Sequence, residues 1–201
     1  MTADYTFDGA QDFSIQSDGI YKILTEGEGA PAELLGETIL FDVNATKRGD
    51  RIKVSALDVK SDALKLAVSG TMDRDYDFSG ELLTSVPLSF ASVTIAANAE
   101  ASFELAGARA APNLRLDARL PQVNAGSQLI EDIRLRTALS NVLGAPKGPV
   151  QIDAKTPYGD FLGTADVSRI NGQIGLADMK LSLDALRAEG NLSLAEESKL
   201  I

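Results

Sequence analysis

The residues best placed to do chemistry are the alternating carboxylates of Asp73-Arg74-Asp75-Tyr76-Asp77. Three acids at every second position match the first half of a calcium-binding loop. The match then stops. Phe78 stands where the loop's sharp turn needs glycine, and Thr84 stands where a bidentate glutamate belongs. The segment reads more simply as a solvated turn. The chain of 201 residues contains no histidine and no cysteine, which excludes Ser-His-Asp and Cys-His nucleophiles and any His-ligated zinc within it. No serine lies three residues ahead of a lysine, and neither a dinucleotide-binding glycine pattern nor a phosphate-binding P-loop occurs. No catalytic, cofactor-binding or metal-binding residue is assigned, and no enzyme activity is expected.

The remaining signals each have a plain structural reading. Leu82–Ala99 is a run of 18 uncharged residues, just long enough to span a membrane as a helix. Thr84, Ser85, Pro87, Ser89, Ser92, Thr94 and Asn98 interrupt it, and its apolar residues change parity partway. Two strands with a turn or bulge near Ala91-Ser92 account for it better. Asn44-Ala45-Thr46 and Asn191-Leu192-Ser193 fit the glycosylation sequon, yet both fall within strand patterns. The formal charge of −10, with no strong cluster of Lys and Arg, argues against binding phosphate backbones or anionic headgroups. The absence of tryptophan and an aromatic content of 5% remove the usual base-stacking platform, so no nucleic-acid partner is expected.

The elements that would position any side chain are strands. Hydrophobic residues make up 44% and charged residues 24% of the chain, the balance of a folded protein. The apolar residues recur at period two, as in Ile39/Phe41/Val43/Ala45, Leu64/Leu66/Val68, Leu114/Leu116/Ala118/Leu120 and Met179/Leu181/Leu183. About fifteen such runs occur. Phase changes between Val54 and Leu57, and between Val59 and Leu64, demand a bulge or a turn. Turn chemistry separates the runs, at Arg48-Gly49-Asp50, Pro157-Tyr158-Gly159-Asp160 and most clearly Asn171-Gly172. Only residues 31–35 and the ambiguous stretch Leu129–Leu143 leave room for helix.

The chain carries a weak internal repeat. A shift of 122 positions aligns residues 36–66 with 158–188 without a gap. Gly49-Asp50 falls on Asn171-Gly172, and the Val54/Leu57 phase change falls on Leu176/Met179. The coincidence of turn and phase change weighs more than the alternation, because any two strands can be slid into phase.

The frame Leu34-Leu35-Gly36, the strand Ile39–Ala45, the turn Gly49-Asp50 and the run Ile52–Val59 together resemble a repeat of the TamB family. Leu64–Gly70 and Leu181–Leu192 are similar again, and the latter also resembles AsmA-like proteins. The likeness covers about residues 34–90 and 150–195; the middle shares only the alternation. It implies an all-β fold, an elongated open β-groove (a β-taco) with an apolar lumen, forming one segment, 1–201, of a larger protein. It further implies a periplasmic location in a parent anchored to the inner membrane, with the anchor outside this fragment. The implied role is phospholipid passage between the two membranes, with acyl chains and a TamA-like outer-membrane barrel as partners.

The residues expected to line the groove are Ile39, Phe41, Val43, Ile52, Val54, Leu64, Leu66, Ile174, Leu176, Leu181 and Leu183, with Asp42, Lys53 and Lys65 facing water. Fifteen strands side by side would make a trough roughly 70 Å long. Two rivals are a structural β-solenoid stalk without lipid transport and a closed lipocalin-like barrel. The first usually shows short Asn/Asp/Gly ladders that are absent here, and the second cannot easily accommodate so many strands.

Overall fold

A computed structural model describes residues 2–8, 12–22, 38–90, 93–170 and 173–193. Fifteen strands run in chain order: β1 (Thr2–Asp8), β2 (Asp12–Lys22), β3 (Thr38–Arg48), β4 (Arg51–Ser61) and β5 (Leu64–Met72). They continue as β6 (Asp75–Thr84), β7 (Leu88–Phe90), β8 (Val93–Ile95), β9 (Glu100–Ala108) and β10 (Asn113–Ala125). The last are β11 (Gln128–Leu139), β12 (Gly148–Thr156), β13 (Gly159–Ile170), β14 (Gln173–Leu183) and β15 (Leu186–Ser193). All belong to one sheet and every pairing is antiparallel.

Thirteen strands follow one another across the sheet as β1–β6 and then β9–β15. At a strand spacing of ~4.8 Å the twelve intervals extend roughly 58 Å. β1 and β15 end the order and do not pair with each other, so the sheet is open. That excludes the closed barrel. The antiparallel, chain-order meander also excludes the parallel coil of a β-solenoid among the described residues.

The short hairpin of β7 and β8 explains the uncharged run. β10 is 13 residues long. Its first part pairs with β9, while Val123–Ala125 at its far end pairs with β8. β8 and β9 therefore lie end to end along β10. The break between them is closed around Thr84, which is 3% exposed. Its Oγ1 accepts the Ala99 N–H at 2.9 Å, while its backbone exchanges bonds with Ala99 and Asn98. Asn98 takes a positive φ of 64° to make the corner. No described helix is long and apolar enough to cross a membrane. The turn expected at Ala91-Ser92 lies outside the described residues, as do Asn171-Gly172, residues 31–35 and the frame Leu34-Leu35-Gly36.

Other readings are settled locally. Leu129–Leu143 is not helical: β11 takes it to Leu139, and Ser140 bridges to Lys147. Asp73 and Arg74 form the turn between β5 and β6, while Asp75 and Asp77 lie on β6. Asn44 and Asn191 are strand residues.

The phase change between Val54 and Leu57 is a β-bulge. Asn44 pairs with Ala56 and Ala45 with Val54, leaving Ser55 as the extra residue. The change between Val59 and Leu64 is the hairpin between β4 and β5, where Ser61 Oγ accepts the Ala63 and Leu64 N–H groups. A displacement of 122 residues carries the bounds of β4 onto those of β14. It also carries the register shift at Val54/Leu57 onto the one at Leu176/Met179.

The sheet has almost no enclosed core. Among the described residues the buried hydrophobics are Ala63, Ala99, Ile133 and Ala154, with Pro112 fully enclosed. Ile133, 7% exposed, is the only large aliphatic among them. A sandwich of two facing sheets would bury many more. The described residues form a single layer.

Candidate functional site

Paired residues of an antiparallel ladder share a face, so the register assigns each side chain to one side of the sheet. From Phe41 the pairs run through Val59, Leu66, Leu82, Ala101 and Ala118. They continue through Leu135, Ile152, Gly163, Leu181 and Ala188. This row crosses the sheet from β3 to β15 without one polar side chain. A neighbouring row runs from Val43 through Leu57, Val68, Gly80, Phe103 and Leu116. The bulges keep the face intact. By absorbing one residue each, they return Val54 and Leu57 to the same side, and Leu176 and Met179 likewise.

The eleven residues expected to line a groove all project from this face. Ile39, Phe41 and Val43 come from β3, Ile52 and Val54 from β4, and Leu64 and Leu66 from β5. Ile174, Leu176, Leu181 and Leu183 come from β14. Leu57 and Val59, beyond the Val54/Leu57 phase change, join them. None of the eleven is buried, and Ile174 is 46% exposed. Asp42, Lys53 and Lys65 are exposed on the other face.

Phenylalanines cover glycines on the apolar face. A Cβ added at Gly80 would lie 2.5 Å from the Phe103 ring, and one at Gly70 would lie 2.7 Å from the Phe78 ring. Each ring therefore packs down onto the backbone of the adjacent strand.

The opposite face is charged. One of its rows reads Asp42, Asp58, Ala67, Glu81, Ser102 and Asp117. Arg134 grips Asp117 with two nitrogens at 2.7 and 3.3 Å. Arg136 reaches Asp153 at 2.8 Å, and Lys155 reaches Asp132 at 2.5 Å. The Arg134 hydrogen bond holds the Asp117 carboxyl below its usual range, and Lys155 does the same for Asp132. At Asp153 desolvation pulls the carboxyl upward, but hydrogen bonds from Arg136 and Gln151 outweigh it and the net shift is down. The same pairings raise Arg134 and Lys155. Exposed pairs of this kind fix geometry more than they stabilise.

The cavities described open on the charged face. The largest, about 840 Å³, is lined by Ser69, Ser79, Ser102, Glu81, Glu104 and Arg136 among others. Its neighbour, about 640 Å³, has four cations (Lys60, Lys65, Arg119, Arg134) balanced by Asp58, Glu81, Glu100 and Asp117. These are spaces where short Ala and Ser side chains stand between long charged ones. Among the described residues no group of three or more His, Cys, Asp or Glu could hold a metal ion.

What the fold and its surfaces define is a class by architecture: an open, single-layer antiparallel sheet with one apolar and one charged face. No protein-family model, curated protein or solved structure matches the chain.

Proposed function

We propose that the chain is a non-catalytic segment of a TamB-like periplasmic bridge that conducts phospholipid between the inner and outer membranes. In this reading the apolar face is the track for acyl chains, and headgroups stay at its wet margins. The parent is anchored in the inner membrane and works with a TamA-like outer-membrane barrel in outer-membrane protein assembly. One observation carries the proposal: an apolar row runs from Phe41 to Ala188 with, among the described residues, no second layer over it. Exposed apolar surfaces of more than a few hundred Å² call for an occupant. An acyl chain laid on such a surface gains about 0.8 kcal/mol for each CH₂ removed from water. It needs no special side chain, which agrees with the absence of any site motif. The rival is a purely structural role.

The test places Val54→Arg in the full-length parent and follows lipid crosslinking, outer-membrane integrity and thermal stability together. A conducting face predicts a folded protein with lost crosslinking and a leaky outer membrane. Normal crosslinking and normal integrity in the folded variant would exclude conduction at this position. Loss of integrity only alongside a collapsed melting transition would favour the structural role.

A further inference from the structure

In an antiparallel meander every second turn returns to the same side of the sheet. Among the described turns, 49–50, 73–74, 109–112 and 140–147 lie on one side. The hairpin turns 62–63, 126–127, 157–158 and 184–185 lie on the other. The first side gathers Arg48, Arg51, Arg74, Arg109 and Lys147, all exposed. These outnumber the acids beside them, Asp50, Asp73 and Asp75. The turns of the second side contain no cation and carry Asp62 and Asp184. The sequence shows no cluster of Lys and Arg because these residues are far apart in the chain; the fold brings them to one margin. None of the five makes an ion pair with another described residue. Arg48 and Arg51 stand directly opposite one another, an unfavourable like-charge pair that an anion would relieve. The Arg109 N–H donates to the Arg74 carbonyl at 3.2 Å, so those two turns are in contact. The apolar face also ends differently on the two sides. Toward the cations its last row reads Lys47, Ile52, Met72, Tyr76 and Gly107. Toward the other side it ends on Leu120 with Ile133, and on Ala154, Phe161 and Leu183. Lysine and tyrosine join an apolar body to a polar tip, which suits a wet margin.

Resting on the reading of the apolar face as an acyl-chain track, we propose that this cationic margin holds the phosphates of phospholipids. Each lipid then lies in one orientation, with its phosphate at the arginines and its acyl chains along the strands toward Asp62 and Asp184. The dimensions allow it. From Lys47 to Ile39 on β3 the strand rises ~27 Å. The hydrocarbon of one leaflet, half of a bilayer core, is about 15 Å deep. An acyl chain that starts at the margin therefore ends on the apolar face, short of the acidic turns. Guanidinium groups suit the task, because their planar donors pair with phosphate oxygens two at a time. The reverse orientation would set phosphate beside Asp62 and Asp184, where the turns offer no cation. The excess of cations at this margin is opposite in sign to the chain's net charge of −10, so the attraction is local to it.

The test photolyses the purified chain with phosphatidylglycerol carrying a diazirine either beside the acyl ester or at the chain terminus. Peptide mass spectrometry then maps the adducts along β5, whose Met72 lies at the cationic margin and whose Leu64 lies at the other end. The ester-side probe is expected at Met72, and the terminal probe farther along, at Val68 and Leu66. In Arg74→Glu/Arg109→Glu, which alters two exposed turn positions, that bias should fall at least about fivefold, with thermal melts confirming the fold. Asp62→Ala should leave the bias unchanged. Apolar-face adducts that are alike for the two probes, or reversed, overturn the orientation and leave the acyl-chain track standing. So does a bias that survives the double reversal in a folded protein. Absence of adducts from the apolar face overturns the track itself, and this inference with it.

Discussion

An arginine at Leu66 and an arginine at Ala67 should have different consequences, although the two positions are adjacent. Leu66 sits in the middle of the apolar row between Val59 and Leu82 and is half-exposed. Full burial of a leucine is worth about 1.5–3 kcal/mol, so partial burial keeps about 1 kcal/mol, and Leu66→Arg should cost about that. On an uncovered face the new guanidinium can bend to solvent along its own stem. In a chain of this size the melting temperature should fall by about 2–4 °C. Ala67 is exposed on the charged face, directly opposite Asp58 and Glu81. Ala67→Arg adds two favourable cross-strand neighbours, each worth about 0.2–1 kcal/mol, and should leave stability unchanged or higher. Thermal melts of both variants measure this. A Leu66→Arg loss of more than about 4 kcal/mol would refute the open face, because a loss of that size belongs to a charge sealed in a covered core.

Other substitutions test the remaining joints. Thr84→Val should cost about 1–3 kcal/mol in denaturant melts, since it leaves the Ala99 N–H without its buried acceptor. Gly148→Ala should destabilise more than Gly49→Ala. A Cβ at Gly148 would sit 2.1 Å from the Ala138 carbonyl oxygen, whereas one at Gly49 meets nothing and pays only for its φ of 57°. Stability should be flat above the unfolded carboxylate pKa of about 4 and fall as acid protonates Asp117, Asp132 and Asp153 at their lowered folded values. Acid titration of the melting temperature checks this, and the fall should shrink in Asp117→Asn.

The alternation of the sequence was enough to place Phe41, Val54, Leu66 and Leu181 on a common face, because a strand leaves each side chain only two directions. The change of phase at Val54/Leu57 announced a bulge, but not which residue it would extrude. That choice depends on the register of both neighbouring strands, in which Ser55 absorbs the shift and so fixes the facing of Leu57 and Val59. Asp132 and Asp178 gave no such warning. Each adopts positive φ inside a strand, a conformation that aspartate tolerates and periodicity does not reveal. The length of β11 was hidden because Leu129–Leu143 has apolar residues at both helical and strand spacing, and only pairing with β10 and β12 decides between them. The sharing of β10 between β8 and β9 is a long-range event without a local signature. The cavities over Ala67 and Ser102 escaped notice for the same reason, as they depend on short residues meeting across strands.

The central claim, that the apolar face takes acyl chains, is tested most directly at Leu82 and Leu83. Both are half-exposed leucines on β6, but Leu82 faces Leu66 and Ala101 while Leu83 faces Lys65 and Glu100. A photo-reactive amino acid placed at each position in turn in the full-length parent, followed by mass spectrometry of the adducts, reads the two faces separately. Phospholipid adducts at position 82 and not at position 83 are the predicted result; equal labelling at both positions, or none at position 82, would contradict it.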